Sequence, residues 1–188
     1  VRHELFDPAR QEELVNALST GARVHGKTNM EAAMAADIVV VTVPHGAHAE
    51  ILTGIRPALA GKLMIDATVP LQPGKPTRVS MPPAGSAAQA AHQILGESCE
   101  VAAAFHTISH ENLAGDEAID CDVLVTGTSP QARRQTLDLV AAAGLRGWDA
   151  GALENSSVTE GLTSLLIHIN KTYGSRRAGI RITGLERR

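Results

Sequence analysis

The run Asp37-Ile38-Val39-Val40-Val41-Thr42-Val43 constrains the fold more than any other part of the chain. β-Branched side chains fill it almost without a break, the composition of a central strand buried on both faces. Further short apolar runs lie at 23–26, 62–67, 100–105, 122–126 and 145–149. Stretches of helical period separate them, at 8–18, 29–36, 45–59, 86–95 and 130–143. Strands alternating with helices predict an α/β fold, a Rossmann-like, mostly parallel sheet with flanking helices. Asp7-Pro8 and Ser129-Pro130 each set a capping residue before a proline at the first helical position, where a missing N–H costs nothing.

With 188 residues and 44% apolar content, the chain reads as one dinucleotide-binding domain over 1–188, with 153–188 as a C-terminal helical extension. Within that extension Val158, Leu162, Leu165, Leu166, Ile169 and Tyr173 recur at helical spacing, an apolar stripe that suits core or a subunit contact. Glu154 and Asn155 precede it as expected caps. Arg176, Arg177, Arg181, Arg187 and Arg188 read as a solvated basic end. The segment 71–85 holds Pro73, Gly74, Pro76, Pro82, Pro83 and Gly85, and is either a functional loop over a pocket or a surface connection.

Several function classes are disfavoured. The longest apolar stretch, 35–44, is interrupted by Asp37 and Thr42, far short of the ~20 residues a spanning helix needs, so no membrane association is expected. Seventeen basic against twenty acidic side chains give a net charge of −3, and Phe6, Phe105, Trp148 and Tyr173 are the only aromatics, so no nucleic-acid partner is expected. Cys99 and Cys121 form neither a disulfide framework nor a zinc knuckle, which points to the reducing cytoplasm. The start Val1-Arg2-His3-Glu4-Leu5 has no signal-peptide pattern and no initiator Met, which suggests a chain that begins inside a longer gene product or was processed.

No GxGxxG turn is present. Three strand ends nevertheless carry the small, polar and proline residues expected where backbone approaches a ligand: Thr42-Val43-Pro44-His45-Gly46, Asp66-Ala67-Thr68-Val69-Pro70 and Phe105-His106-Thr107-Ile108-Ser109. In open parallel sheets ligands lie outside such carboxyl ends. His45 with His48, and His106 with His110 beside Glu111, have spacings that could pair imidazoles on one face. The HExxH order is missing and no third ligand is fixed, so no metal is expected. His106 reads as a neutral pocket donor or acceptor, or as a satisfied structural histidine. Asp66 is a buried acid near a ligand or, the favoured reading, a cap on the following loop. Asp37 reads as a strand-entry residue.

Five words occur in order: 37–44 followed by His48; Val69-Pro70; Ala104-Phe105-His106-Thr107-Ile108; Asp149-Ala150-Gly151-Ala152-Leu153; and Glu160-Gly161-Leu162-Thr163. Together, over about 24–185, they resemble the NADPH-dependent reductases of the deazaflavin coenzyme F420. The resemblance implies a cytoplasmic, homodimeric oxidoreductase passing hydride between nicotinamide C4 of NADP(H) and C5 of the deazaflavin, with those cofactors as its small-molecule partners. It implies NADP contacts from Thr42, Val43, Pro44, His45, Val69 and Pro70, and a hydride-accepting side built from His106, Thr107, Ile108 and Thr163. Gly161, Ser157 and Ser109 depart from the serine, arginine and proline common in the family. The family opens with a strand, a Gly-rich turn, a helix and a second strand, whose end Val1-Arg2 resembles, so roughly thirty residues are expected before Val1. Arg2 would then meet the adenosine 2'-phosphate, or be a solvated terminal arginine. Two other readings remain: an NADPH-dependent flavin or ferric reductase of the same fold, and a non-catalytic dimerising subunit.

Overall fold

A computed structural model of the chain describes residues 25–114 and 119–185. The helix expected over 8–18 with its Asp7-Pro8 start, and the first half of the strand expected over 23–26, lie outside them; the other half, His25-Gly26, is not strand. Thr28 accepts the Glu31 N–H at 3.3 Å while the Glu31 carboxylate accepts the Thr28 N–H at 3.0 Å, a reciprocal cap that starts α1 (Asn29–Ala35). After β1 (Ile38–Val41), α2 (His45–Ile55) runs into a short 3-10 turn at Arg56–Ala58, where Pro57 stops the α-helical ladder. β2 (Leu63–Asp66) leads through the proline-rich loop to α3 (Ala87–Leu95) and β3 (Glu100–Ala103). A short α4 (His110–Ala114), β4 (Asp122–Gly127), α5 (Pro130–Ala142) and β5 (Arg146–Ala152) follow. The Ser129 hydroxyl accepts the Ala132 N–H at 3.0 Å with Pro130 in the first turn, as the sequence predicts. A 3-10 turn at Leu153–Asn155 opens α6 (Ser156–Tyr173), which ends where Gly174 turns left-handed at φ 64°.

The five strands stand in sequence order, β1-β2-β3-β4-β5. β1, β2 and β3 are parallel, as are β4 and β5, but β3 and β4 pair antiparallel. A parallel return needs a crossover long enough to traverse the sheet. The only helix described between β3 and β4 has 5 residues, about 7 Å of rise, too little for that. Alternation along each strand sorts the core into two layers. Met64, Val101 and Ala103 join Leu52, Leu59, Ala91 and Leu95 on the α2–α3 side, while Ile65, Ala102, Ala104, Val123 and Val125 join Ala132 and Val140 on the α5 side.

Two expectations are corrected here. β1 is not doubly buried: among the described residues it stands at one end of the sheet, and Val40 is 43% exposed. β-Branched content reports a strand that fits a pleated surface, not the number of its neighbours. Asn155 does not cap α6 through its side chain. The preceding 3-10 turn has already put its backbone at φ −67°, ψ −12°, and its amide instead donates to the Ala150 carbonyl at 2.7 Å.

Candidate active site

Parallel register gathers three strand ends on one rim of the sheet, since Val41 pairs with Asp66 and Asp66 with Ala103. Asp66 is the hub of that rim. One carboxylate oxygen lies 2.7 Å from His48 Nε2, in the first turn of α2, and the other accepts the Thr68 N–H at 2.9 Å. The Thr68 hydroxyl in turn donates to the Val43 carbonyl at 3.3 Å. All three side chains are buried. The Asp66 reading as a loop cap therefore holds, and so does the reading as a buried acid. His45 stacks on His48 with ring centroids 6.2 Å apart, and burial first, then the His48 ring, holds its pKa below the usual imidazole value. No side chain caps α2, whose first turn lies at this rim, and the Ala47 N–H there donates to the Pro44 carbonyl at 2.9 Å. Among the described residues no group of three His, Cys, Asp or Glu side chains is placed to hold a metal ion.

Beyond β3 the chain turns sharply at Phe105, the only non-glycine residue described at positive φ (69°). Such strain persists where surrounding structure imposes it. The next residue, His106, is buried, and its ring lies close to the Asp66 backbone with neither nitrogen in good hydrogen-bond geometry. Burial drives its pKa down to about 4 against the opposing pull of Asp66, so the ring is neutral near pH 7. With Thr107, Ile108 and Thr163 it lines a cavity of about 480 Å³, walled farther out by Asn170, Arg176 and Ala178. A buried neutral imidazole in a cavity wall is a group that suits a polar ligand.

α6 supplies the opposite wall and turns the usual amphipathic arrangement inside out. Ser156, Thr159, Glu160 and Ser164 are buried, while Val158 is 64% and Leu165 51% exposed. Glu160 reaches the start of α3, accepting the Ala87 and Ala88 N–H groups at 2.7 and 3.1 Å, and one turn later the Thr163 hydroxyl donates to the His106 carbonyl at 2.8 Å. The stripe is thus mostly turned away from the core, which leaves the subunit-contact reading open; of its members only Leu166 is buried.

The sequence pattern of the family described as NADP oxidoreductase coenzyme F420-dependent matches residues 6–70. The F420-dependent NADP reductase of Methanocaldococcus jannaschii is 35% identical over 182 residues, covering 94% of this chain and 81% of that one. The chain belongs to this family. The corresponding enzyme of Methanothermobacter thermautotrophicus is 41% identical over 168 residues, covering 86% of this chain and 72% of its own. The crystal structure of a proposed F420-dependent NADP reductase of Arthrobacter sp. FB24 superposes with a TM-score of 0.75 at 19% identity, over 84% of this chain and 74% of that one, and shows the shared Rossmann-like fold.

Against this family the expected residues fall as follows. Thr42, Val43, Pro44 and His45 form the β1 end, Val69 and Pro70 the β2 end, and His106, Thr107 and Ile108 the turn after β3, all on the same rim. Thr163 joins them from α6. Thr107 is buried, and its hydroxyl faces the Asp122 carbonyl at 3.5 Å. Arg2 lies outside the described residues. Of the basic end, Arg176 pairs with Glu111 and Arg181 with Asp120, so these two are tethered as well as solvated. Sequence reasoning weighed His48 only as the imidazole partner of His45 and assigned no role to Glu160 or Asp122; no local spacing marks a residue whose partners lie on other elements.

The proline-rich loop lies over α6: a Cβ added at Gly161, where the family commonly has serine, would meet Val79 Cγ1 at 3.5 Å and Met81 Cε at 3.7 Å. These are ordinary contacts inside a helix. Gly161→Ala is therefore expected to raise stability by about 0.5–1 kcal/mol, read as a higher urea midpoint at unchanged slope. A lower midpoint would show that Val79 and Met81 cannot accommodate one methyl group.

Proposed function

We propose that this protein transfers hydride between NADP(H) and coenzyme F420 on the rim described above. Family membership supports the reaction class, and His106 is the observation in the fold that carries it: a neutral, buried imidazole in the wall of a cavity beside the turn after β3. We assign Thr42, Val43, Pro44, His45, Val69 and Pro70 to the nucleotide, and His106, Thr107, Ile108 and Thr163 to the deazaflavin. Both cofactors carry their own reactive carbon, so the chemistry they supply asks the protein for orientation more than for acid or base. Neutral His106 can orient a carbonyl or ring N–H, Thr163 fixes the turn that presents it, and Ile108 excludes water. With α6 as an extension, residues 1–188 act in this reading as one dinucleotide-binding unit.

The test uses the full-length protein with NADPH and coenzyme F420, following both absorbances. Equal loss of NADPH and oxidised deazaflavin is expected. Turnover with a free flavin or ferric ion instead would favour the alternative reductase, and absence of NADPH binding by calorimetry would favour a non-catalytic subunit.

We further propose that two copies pair through α6. Val158, Leu162, Leu165 and Ile169 repeat at spacings of four, three and four residues along a helix of 18, the seam of a helix pair. Leu165→Glu is expected to convert the dimer to monomer in sedimentation velocity; an unchanged dimer would place the interface elsewhere. A cytoplasmic setting agrees with two free, buried cysteines, the Cys99 thiol being pushed by burial up to about 11. Among the described residues no helix is long and apolar enough to cross a membrane.

A further inference from the structure

We infer that Asp66 is a positioning residue for the nucleotide, acting through His48 and Thr68 to fix the spacing of the loops after β1 and β2. The inference rests on the NADP reading of this rim. The ladder between the two strands makes its last bond from the Ala67 N–H to the Val41 carbonyl at 3.0 Å. Past that point the chains at 42–45 and 67–70 leave the sheet, and main-chain pairing no longer sets their separation. The Asp66 group takes over. Its carboxylate holds the second loop by the Thr68 N–H and the first turn of α2 by His48, and Thr68 closes the figure on the Val43 carbonyl.

Each partner lies beside a residue assigned to the nucleotide: Thr68 precedes Val69 and Pro70, Val43 precedes Pro44, and His48 lies one turn from His45 and stacks on it. A carboxylate with no exposed surface is costly to bury, and an apolar residue would fill the same space without that cost. What an apolar residue cannot do is grip two loops and a helix start at once. Errors of an ångström in such loops weaken cofactor alignment far more than they weaken folding.

Asp66→Asn and Thr68→Val separate this role from simple support. In the full-length protein, Asp66→Asn is expected to raise both the Kd and the KM for NADPH by about tenfold, with the KM for coenzyme F420 within about twofold of the parent. Thr68→Val, which removes one hydroxyl from a residue whose N–H bond remains, should raise the NADPH values by about threefold while the melting temperature stays within about 2 °C. Adding His48→Gln to Asp66→Asn should cost little more, because both break one network. The inference is overturned if a parent that binds NADPH keeps its affinity in Asp66→Asn and Thr68→Val. It is also overturned if both cofactor KM values rise together with the loss of melting temperature. A parent that binds no NADPH would overturn the NADP reading itself, and this inference with it.

Discussion

Glu160→Ala is expected to lower folding stability by about 4 kcal/mol. The first amides of α3 have no acceptor within the helix. Ser86 takes the Gln89 N–H at 2.9 Å, and Glu160, reaching over from α6, takes those of Ala87 and Ala88. Truncation leaves two buried donors unpaired, each costing about 1–3 kcal/mol, and a cavity besides. Urea unfolding reads the loss, and a change under about 1 kcal/mol would mean that the helix start finds other acceptors. The same carboxyl makes stability depend on pH. Burial pushes its pKa from 4.5 up to about 7, against the pull of the two N–H groups. A raised folded-state pKa gives a contribution that is full below 4.5 and is lost as pH rises through about 7. Glu160→Gln should flatten the stability profile across that window.

Asp122→Ala is expected to cost about 3 kcal/mol and to loosen the wall of the cavity. The buried Asp122 carboxylate pairs with Arg146 and accepts Trp148 Nε1–H at 2.8 Å and the Ile182 N–H at 2.7 Å. Its own N–H donates to the Ile180 carbonyl at 2.7 Å, and its carbonyl faces the Thr107 hydroxyl. One residue thereby ties β4, β5, the C-terminal segment and the His106 turn. Removing its side chain should free the segment that carries Arg176 and Ala178, raising the KM for coenzyme F420 more than that for NADPH and speeding tryptic cleavage at Arg176 or Arg177. Equal effects on both KM values would argue against this wall. Burial pushes the Asp122 pKa upward, yet the Ile182, Arg146 and Trp148 donors outweigh it and hold the pKa below the usual carboxylate range. A depressed pKa gives stability that is present above that range and is lost as pH falls through the folded value. The parent's acid limb should therefore shrink in Asp122→Ala.

Five of the six expected strands, most helices and the placing of 42–45, 69–70 and 106–108 beyond the ends of β1, β2 and β3 were legible in the sequence, because β-branched runs, proline starts and parallel topology are local or nearly local signals. The reversal at β4 was not, since it depends on how far the 104–121 connection reaches. Nor was the orientation of α6. Val158, Leu162 and Leu165 share a face by periodicity, but so do Ser156, Thr159, Glu160 and Ser164, and the polar set is the one that packs inward. Spacing identifies a face; partners on other elements decide which way it turns. Asp66 illustrates the same point, because its loop-capping oxygen was readable from Thr68 two residues on, whereas its other oxygen answers to His48, 18 residues away.

The placement of Glu160 and Thr163 within one turn of α6 bears on efforts to make this chain tolerate heat. The first secures α3 and the second secures His106, so any change that rotates or slides the helix to gain rigidity also re-aims the imidazole. Gly161 apart, thermostabilising libraries should spare 156–164 and draw instead on α5 and the outward side of α1, where gains in endurance leave the redox geometry alone.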